Sequence, residues 1–571
     1  RPAHCRVPEE PVGQREPHRR PSQADEGVAV GRRPHLAALA LVSLCAWLVV
    51  WLVAQGLVGA QDSAAPAKAD SGPRPNIVII YTDDQGYGDV GALNPDAKFA
   101  TPNIDRLVRE GMTFRDAHCS DTVCTPSRYG LLTGRYSWRT RLKRGVMGSE
   151  GPCLIKQGRV TLASLLRDHG YQTAVVGKWH LGMVFDGEVG GRDWGNPFAD
   201  GPIEAGFDDF FGIPASMNFG ILTYLRQDRV QSPADLWTAK KPGQNQGDRL
   251  SYRITPPYEA ERSSVVGRAL EVARDFDDVT VLQTFLSEAV KWIDAVAADA
   301  KRGAPFFLYL PLTSPHKPVC PQREFVGKSQ AGLYGDFMME TDHRIGQLLA
   351  ALDRHDLTDN TLVVFSADNG AENTYRDRKE RYGHASSGPY RGGKRDLYEG
   401  GHRVPFVVRW PAKVRAASRS DTTICQTDLL ATFAELLGAR LPADAGEDSF
   451  SLLADLYGEE RSERRAPVIQ HSGAGYFAVR DGRWKLVLDG QDLSLFDLAQ
   501  DPQEHQELRA ARPQITARLQ REYDAWRSEK RRHGNTSSKA ISTSSWGRIG
   551  SSRCEGEGLG LGLGLRRRLP G

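Results

Sequence analysis

Two features are missing from this sequence: a Cys-x-x-Cys pair and a strong net charge. The eight cysteines are Cys5, Cys45, Cys119, Cys124, Cys153, Cys320, Cys425 and Cys554. Without a Cys-x-x-Cys pair, the sequence argues against a structural zinc site and against a thioredoxin-like redox motif. The spacing also specifies no disulfide pairing.

The net charge is small, and its positive sign comes entirely from the two ends of the chain. The 571 residues carry 74 Lys and Arg against 71 Asp and Glu, a formal charge of +3. Residues 1–35 hold a surplus of two positive charges and residues 530–571 a surplus of seven, which leaves about −6 for the middle. We therefore expect no nucleic-acid partner.

The composition also excludes a chain that is disordered throughout. Hydrophobic residues make up 40% of the sequence and charged residues 25%, which is ordinary for a globular protein. A chain of this length can form one large domain and a smaller one, each with its own core.

One apolar run near the start indicates export. "LAALALVSLCAWLVVWLV" (36–53) follows Arg32 and Arg33, and small residues precede Gln61. A basic flank, an apolar run and small residues are typical of a signal peptide, and 18 residues are also enough for a membrane anchor. We expect residues 36–60 to be one or the other, and the protein to be periplasmic, extracellular or membrane-anchored. A membrane is expected as a partner only if this segment is retained.

Five short apolar runs alternate with helical patterns after residue 75. They are "NIVIIY" (76–81), "TAVVG" (173–177), "FFLYLPL" (306–312), "TLVVFS" (361–366) and "VPFVVRW" (404–410). Such runs of β-branched and aromatic residues indicate strands buried on both faces, and residues 281–296 and 334–352 show helical spacing. The expected fold class is α/β, with a large mixed, mainly parallel sheet flanked by helices.

The pattern changes at about residue 465, where short strands with a turn at Asp481-Gly482 precede a helix at 514–527. This predicts a smaller C-terminal antiparallel sheet domain with a closing helix. The expected organisation is a disordered or mis-assigned extension (1–35), the signal or anchor (36–60), a linker (61–75), a catalytic domain (76–460), a small α+β domain (461–530) and a disordered tail (531–571).

Polar residues directly follow two of the predicted strands. Asp83 and Asp84 come after the first, and Asp368 and Asn369 after "TLVVFS". Ligands of open α/β sheets bind at the carboxyl ends of strands, and oxygen ligands suit Ca²⁺ or Mg²⁺. Adjacent side chains point apart on a regular strand, so both aspartates can bind one ion only if the backbone bends. Alternatively, each pair caps a following turn.

Cationic and imidazole side chains follow two further strands. Lys178 and His180 stand two apart in "GKWHLG", so in extended backbone they face the same way. His316 follows "FFLYLPL", and Lys394 lies in the Gly-rich "GGKRDLYEGG". Together they suit an anionic oxygen, although each alone is also consistent with a structural histidine or a surface lysine.

Cys124 begins the helical-looking stretch "CTPSRYGLLTGR" (124–135). Pro126 favours a helix N-terminus there, and Arg128 can reach back over the first turn. One interpretation is a thiolate nucleophile with a low pKa, and the other is a buried structural cysteine.

These motifs resemble those of the sulfatase family, in the calcium-dependent, formylglycine-bearing class of the alkaline phosphatase superfamily. "CTPSRYGLLTGR" matches the signature Cys-x-Pro-Ser-Arg-x-x-x-Leu-Thr-Gly-Arg without a gap. "DDQGYGD", "GKWHLG", "SPHKP", "SADNG" and "GGK" follow in the family's order, and "LFDLAQDPQEHQEL" resembles its C-terminal end. The resemblance spans about residues 75–510 and is greatest to arylsulfatase and N-acetylgalactosamine-6-sulfatase-like members.

The resemblance implies a sulfuric ester hydrolase that cleaves aryl or carbohydrate sulfates, with a sulfated small molecule or glycan as substrate. A formylglycine-generating maturation enzyme would convert Cys124 to formylglycine, whose hydrate is the nucleophile. The implied Ca²⁺ ligands are this residue with Asp83, Asp84, Asp368 and Asn369. Asp368 would also be the base.

The remaining roles are implied in the same way. Arg128 would hold the formylglycine, and Lys178 and Lys394 would bind the sulfate. His316 would protonate the leaving alcohol, His180 would take the second hydroxyl proton, and Ser216 would fill the serine position beside the sulfate.

Two alternatives stay open. A phosphate or phosphonate monoester hydrolase of the same superfamily would act on a similar tetrahedral anion. A catalytically silent sulfated-glycan-binding protein would be expected to lose Cys124, Lys178 or His316, and none is lost. The segment at about 185–265 is expected to shape the pocket, but the sequence does not specify the substrate.

Overall fold

The computed structural model describes residues 73–239, 254–265, 268–461 and 465–528. The predictions for residues 1–35, 36–60 and 531–571 lie outside the described residues, as does most of the predicted linker. Among the described helices, none has the length and apolar composition needed to cross a bilayer.

Ten of the described strands in the larger part form one sheet, in the order β14-β2-β13-β12-β1-β11-β4-β5-β7-β8. In chain order the strands of this part are β1 (Asn76–Asp83), β2 (Met112–Phe114), β3 (Ala117–His118), β4 (Gln172–Lys178), β5 (Asp209–Ile213), β6 (Ile221–Leu222), β7 (Leu225–Arg226), β8 (Arg229–Val230), β9 (Leu236–Ala239), β10 (Ala269–Val272), β11 (Phe306–Pro315), β12 (Thr361–Ala367), β13 (Phe406–Arg409), β14 (Ser418–Ser420) and β15 (Ile424–Cys425). The five strands from β12 to β5 are parallel, and β13 is antiparallel to β12. The predicted fold class is confirmed.

The helices lie on both faces of this sheet, because its central strands are apolar on both faces. All eight residues of β1 are buried. Ile77 and Ile79 belong to one core and Val78 and Ile80 to the other, as the two-residue period of a strand requires. The α-helices within the described residues are Pro102–Glu110, Cys124–Thr133, Leu162–Asp168, Val281–Lys301, Gly332–Arg354, Tyr375–Tyr382, Glu399–His402, Leu429–Leu436, Leu453–Tyr457 and Pro513–Ser528.

Two small sheets accompany the large one. β6, β10 and β9 form a three-stranded sheet in and beside the predicted pocket-shaping segment, and β3 pairs with β15. These strands are only two to four residues long. Runs of this length carry no readable periodicity, so the sequence predicted none of them.

The predicted smaller antiparallel sheet is present near the end of the described chain. Its strands are β16 (Val468–His471), β17 (Phe477–Asp481), β18 (Trp484–Asp489) and β19 (Asp492–Asp497), paired in that order. The helix Pro513–Ser528 packs on it through Leu519, Tyr523 and Trp526. Tyr136 and Trp138 of the larger part belong to the same core, so the two parts share apolar contacts.

A pair of glycines sets the approach of β4 to β5. Gly177 pairs with Gly212, and a Cβ added to Gly212 would lie 1.8 Å from the carbonyl oxygen of Gly177. Since the neighbour is backbone of a central strand, a side chain there must push the strands apart.

We expect Gly212→Ala to destabilise the fold by about 2–3 kcal/mol because it overpacks this contact. Gly148→Ala is the control, since the nearest atom to its added Cβ is 4.0 Å away. The measurement is the midpoint of chemical denaturation. Equal midpoints for the two variants would contradict the close approach.

Candidate active site

Four of the predicted site residues lie at the carboxyl ends of four neighbouring parallel strands. Asp83 ends β1, Lys178 ends β4, His316 follows β11, and Asp368 follows β12. Because β12, β1, β11 and β4 are adjacent in the sheet, their ends meet at one edge.

The backbone bends at Asp83 and Asp84, as it must if both side chains are to reach the same site. Asp84 has φ +65°, and the register between β1 and β11 shifts between Tyr81 and Asp83. Left-handed backbone is unfavourable for a residue with a side chain, so other contacts must hold it. One of them is the Asp84 backbone N–H, which donates to Asp368 Oδ1 at 3.1 Å.

Cys124 is the first residue of its helix, as predicted, and it is buried against charged groups. Its Sγ lies 3.4 Å from Asp83 Oδ1 and 3.5 Å from Lys394 Nζ. Burial, Asp368 and Asp83 raise the pKa of the Cys124 thiol far above its ordinary value. The unmodified thiol is therefore protonated at neutral pH, and the interpretation as a low-pKa thiolate is wrong.

Arg128 connects the Cys124 helix to the acids. Its guanidinium is fully buried and donates to Asp368 Oδ2 from Nε at 3.1 Å and from Nη2 at 2.8 Å. It lies 3.8 Å from Asp83 Oδ1 and donates to the Lys178 carbonyl at 3.3 Å. Arg128 therefore fixes three strand ends relative to the helix.

Two lysines complete the charge balance. Lys178 Nζ donates to Asp83 Oδ2 at 2.5 Å, and Lys394 Nζ donates to Asp84 Oδ1 at 2.5 Å. Lys178, Lys394 and Arg128 are three buried cations. They face three buried carboxylates, those of Asp83, Asp84 and Asp368. Buried charges are tolerated only when paired in this way.

The oxygen atoms at this edge fit a bound cation. Asp84 Oδ2 and Asn369 Oδ1 are buried and have no hydrogen-bond partner among the described residues. Ligand atoms of Asp83, Asp84, Cys124 and His316 all lie within 4.8 Å of one another. Unpartnered buried oxygens are costly, and carboxylate and amide oxygens are the ligands that hard divalent cations prefer.

The two predicted histidines of the site, His316 and His180, are both buried, and burial lowers the pKa of each. His316 Nδ1 contacts the Lys317 carbonyl at 2.6 Å, and Nε2 lies 3.6 Å from Asp84 Oδ2. Burial, with Lys394 and Lys178, lowers the pKa of His316 to about 3 against the opposing effect of Asp84.

The backbone at His180 differs from the extended conformation expected for it. β4 ends at Lys178, and His180 has φ +59°. Its Nε2 contacts the Met147 carbonyl at 2.9 Å, and its Nδ1 has no hydrogen-bond partner among the described residues. Burial, Lys178 and Arg128 lower its pKa well below the ordinary value.

Ser216 follows β5, the strand next to β4 in the sheet. Its buried Oγ has no hydrogen-bond partner in the described part of the chain. No hydrogen bond joins it to the cluster of Asp83, Asp84 and Cys124 among the described residues. Its predicted position beside the sulfate stays a prediction.

Glu372 was not predicted, yet it contacts this site. It accepts a hydrogen bond from Arg395 at 2.7 Å and lies 3.9 Å from Lys394 Nζ. Burial and Asp84 would raise its pKa, but Lys394 and Arg395 outweigh them and lower it to about 2. A lone acid in a loop has no signature until its partners are known.

The fold is of the α/β class, and the site suits an enzyme that acts on an anionic ester. A residue at a helix N-terminus is held among buried cations beside a candidate metal site. The family model described as Sulfatase matches residues 75–439. A second model, described as N-sulphoglucosamine sulphohydrolase, C-terminal, matches residues 392–529.

Individual proteins agree with the family models. An N-acetylgalactosamine-6-O-sulfatase of Bacteroides thetaiotaomicron is 32% identical over 497 residues, covering 81% of this chain and 95% of that protein. Human arylsulfatase A is 34% identical over 443 residues, covering 76% and 78%. A solved structure described in work on glycosaminoglycan metabolism by B. thetaiotaomicron is 30% identical with a TM-score of 0.70, covering 80% of this chain and 100% of that chain. The chain belongs to the sulfatase family, which confirms the resemblance and makes it a sulfuric ester hydrolase.

We expect Arg128→Met to destabilise the protein by about 3–5 kcal/mol in metal-free buffer, because it leaves Asp368 buried without its cation. The control is Arg167→Met, whose side chain is 43% exposed and whose pair with Asp168 is at the surface. It should cost less than about 1 kcal/mol. Thermal unfolding of both variants measures the difference, and a similar small effect of both would refute the role of Arg128.

Proposed function

We propose that the protein hydrolyses carbohydrate sulfate monoesters, using a formylglycine made from Cys124 and a bound Ca²⁺. The observation that carries the proposal is Cys124 itself: it opens a buried helix in an intact signature and contacts both Asp83 and Lys394. A sulfated sugar is favoured as substrate by the relative named N-acetylgalactosamine-6-O-sulfatase, which this chain matches over 95% of that protein's length.

Modification of Cys124 would replace a thiol that is unsuitable as a nucleophile. The raised pKa of the thiol keeps it protonated, so as encoded it is a poor nucleophile. Formylglycine, formed by a maturation enzyme, would supply a hydrated aldehyde as the nucleophile at the same position.

The calcium ligands in this proposal are Asp83, Asp84, Asp368, Asn369 and residue 124. A bound Ca²⁺ would supply positive charge next to the sulfate oxygens. The unpartnered oxygens of Asp84 and Asn369 support these assignments.

The chain's own cations orient the sulfate. Lys178 and Lys394 each bear an ammonium that contacts an acid of the metal site, so both lie where a sulfate bound beside residue 124 can accept hydrogen bonds. Arg128 holds Asp368 in place. Burial and Asp83 raise the pKa of Asp368, which suits it to take a proton from the nucleophile.

The histidines handle the other protons. With Nδ1–H of His316 directed to the Lys317 carbonyl, its Nε2 faces the site. Once Nε2 is protonated, it donates its proton to the oxygen of the leaving alcohol. A sulfate next to Nε2 raises the pKa of His316 and favours the protonated form that an acid must have. His180, neutral and with Nδ1 unpartnered, is the proposed acceptor of the second proton.

Two further proposals concern the whole chain. We propose that residues 76–460 form the catalytic domain and residues 461–530 a small C-terminal α+β domain. We also propose that the protein is exported by means of residues 36–60.

The proposed function is tested by two measurements on one preparation. Protein made together with a maturation enzyme should show the peptide containing Cys124 lighter by about 18 Da than the encoded thiol. The same protein should release sulfate from N-acetylgalactosamine 6-sulfate, and a matched phosphate ester measures the phosphatase alternative. Cys124→Ser is the control, with no mass loss and no turnover. Unmodified Cys124 in active protein would overturn the formylglycine mechanism.

We expect Asp368→Ala to abolish sulfate release and to weaken calcium binding by at least about tenfold, because it removes both an oxygen ligand and the proton acceptor. Calorimetric titration with CaCl₂ measures the binding. Asp359→Ala, an exposed acid just before the amino end of β12, is the matched control. Unchanged calcium affinity of Asp368→Ala would refute its role as a ligand.

A further inference from the structure

A cavity lies between the segment that follows the Cys124 helix and the C-terminal sheet. We call it the basic groove, and its volume is about 940 Å³. Five cationic side chains and two carboxylates line it, namely Arg135, Arg139, Lys143, Arg144 and Arg527 against Asp444 and Glu447. Clefts lined by charges of one sign concentrate ligands of the opposite sign.

The carboxylates do not neutralise all of these cations. Glu447 accepts hydrogen bonds from Arg135 at 2.9 Å. In the described ranges, neither Lys143, Arg144 nor Arg527 forms an ion pair with an acid. Burial, Arg135 and Arg527 lower the pKa of Lys143, so this lysine is surrounded by other cations.

The aromatic walls hold the cations in position. The guanidinium of Arg527 lies 5.5 Å from the ring centre of Phe477, and Arg527 Nη1 donates to the Tyr523 hydroxyl at 2.9 Å. An arginine stacked in this way loses less freedom when it binds an anion than one extended into solvent.

One lining residue connects the groove to the segment that precedes Cys124. His471 lines the groove and pairs with Asp121, three residues before Cys124, at 2.5 Å. A Cβ on Gly473, in the following turn, would lie 3.1 Å from the Val123 side chain. Arg135, which lies two residues beyond the end of the Cys124 helix at Thr133, also lines the groove.

A short segment connects the groove to the candidate active site. Arg144 lines the groove, and the Gly145 N–H donates to the Gly473 carbonyl at 2.8 Å. Met147 donates to Thr125 Oγ1 at 3.1 Å, and its carbonyl contacts His180 Nε2. Arg144 and Met147 are three residues apart, so at most about 10 Å separates the Arg144 backbone from the Met147 backbone, which contacts His180.

We propose that the basic groove is a subsite for a second anionic group of the substrate, so that the enzyme prefers a sulfated sugar within an acidic oligosaccharide to the same sugar alone. The proposal rests on the sulfatase function proposed above and extends it to substrate selection. The second group is a sulfate or a carboxylate, both of which arginine binds. Lys143, Arg144 and Arg527 are the residues that contact it.

The test compares one sulfated sugar in four settings: free, and at the end of a trisaccharide that bears a uronate, a second sulfate or neutral sugars only. In the mature enzyme we expect a KM about tenfold lower for the acidic trisaccharides than for the neutral one. The double variant Arg144→Ala/Arg527→Ala should lose this preference without a change in kcat on the monosaccharide. Arg167→Ala/Arg302→Ala, at the ends of the helices before β4 and β11 and therefore at the opposite edge of the sheet, is the charge-matched control.

Comparison of the two acidic trisaccharides decides between sulfate and carboxylate. Added salt should raise KM for the acidic trisaccharides and leave the monosaccharide nearly unaffected. An unchanged preference in the double variant, or an equal loss on all four substrates, would overturn the subsite. If no sulfate is released from any substrate, the proposed function fails. Calorimetric binding of the acidic trisaccharides to Cys124→Ser and to its Arg144→Ala/Arg527→Ala derivative then still tests the groove.

Discussion

Charge balance at the edge of a parallel sheet is the constraint on which the rest of the structure depends. Asp83, Asp84 and Asp368 are buried side by side, and like charges so placed repel strongly in a low-dielectric interior. Arg128 and two lysines, from a helix, a strand end and a Gly-rich loop, offset them. Elements far apart in the sequence are therefore held together by the charges of the candidate active site.

The sequence predicted the part of this arrangement that follows from local pattern. Buried apolar runs located the central strands, and the residues directly after them supplied the acids, Lys178 and His316. The need for a bend between Asp83 and Asp84 followed from strand geometry alone, and the left-handed backbone at Asp84 agrees with it. The helix start at Cys124 followed from Pro126.

What the sequence did not predict depends on contacts between distant segments. Nothing in "KWHLG" distinguishes the left-handed backbone at His180 from an extended one, since the carbonyls that hold it belong to Pro214 and Met147. Glu372 acquires its role only from Lys394 and Arg395. The basic groove, likewise, combines residues from opposite ends of the chain, and no single motif contains it.

The burial of Cys124 determines when this residue is accessible to a modifying enzyme. Its side chain is 2% exposed, and every residue of its helix is buried beneath the sheet and the C-terminal part. An enzyme that oxidises this thiol has no access to it once the core has formed. Under the proposed function, conversion of Cys124 to formylglycine must therefore precede folding of this region, and the folding rate limits the time available for that conversion.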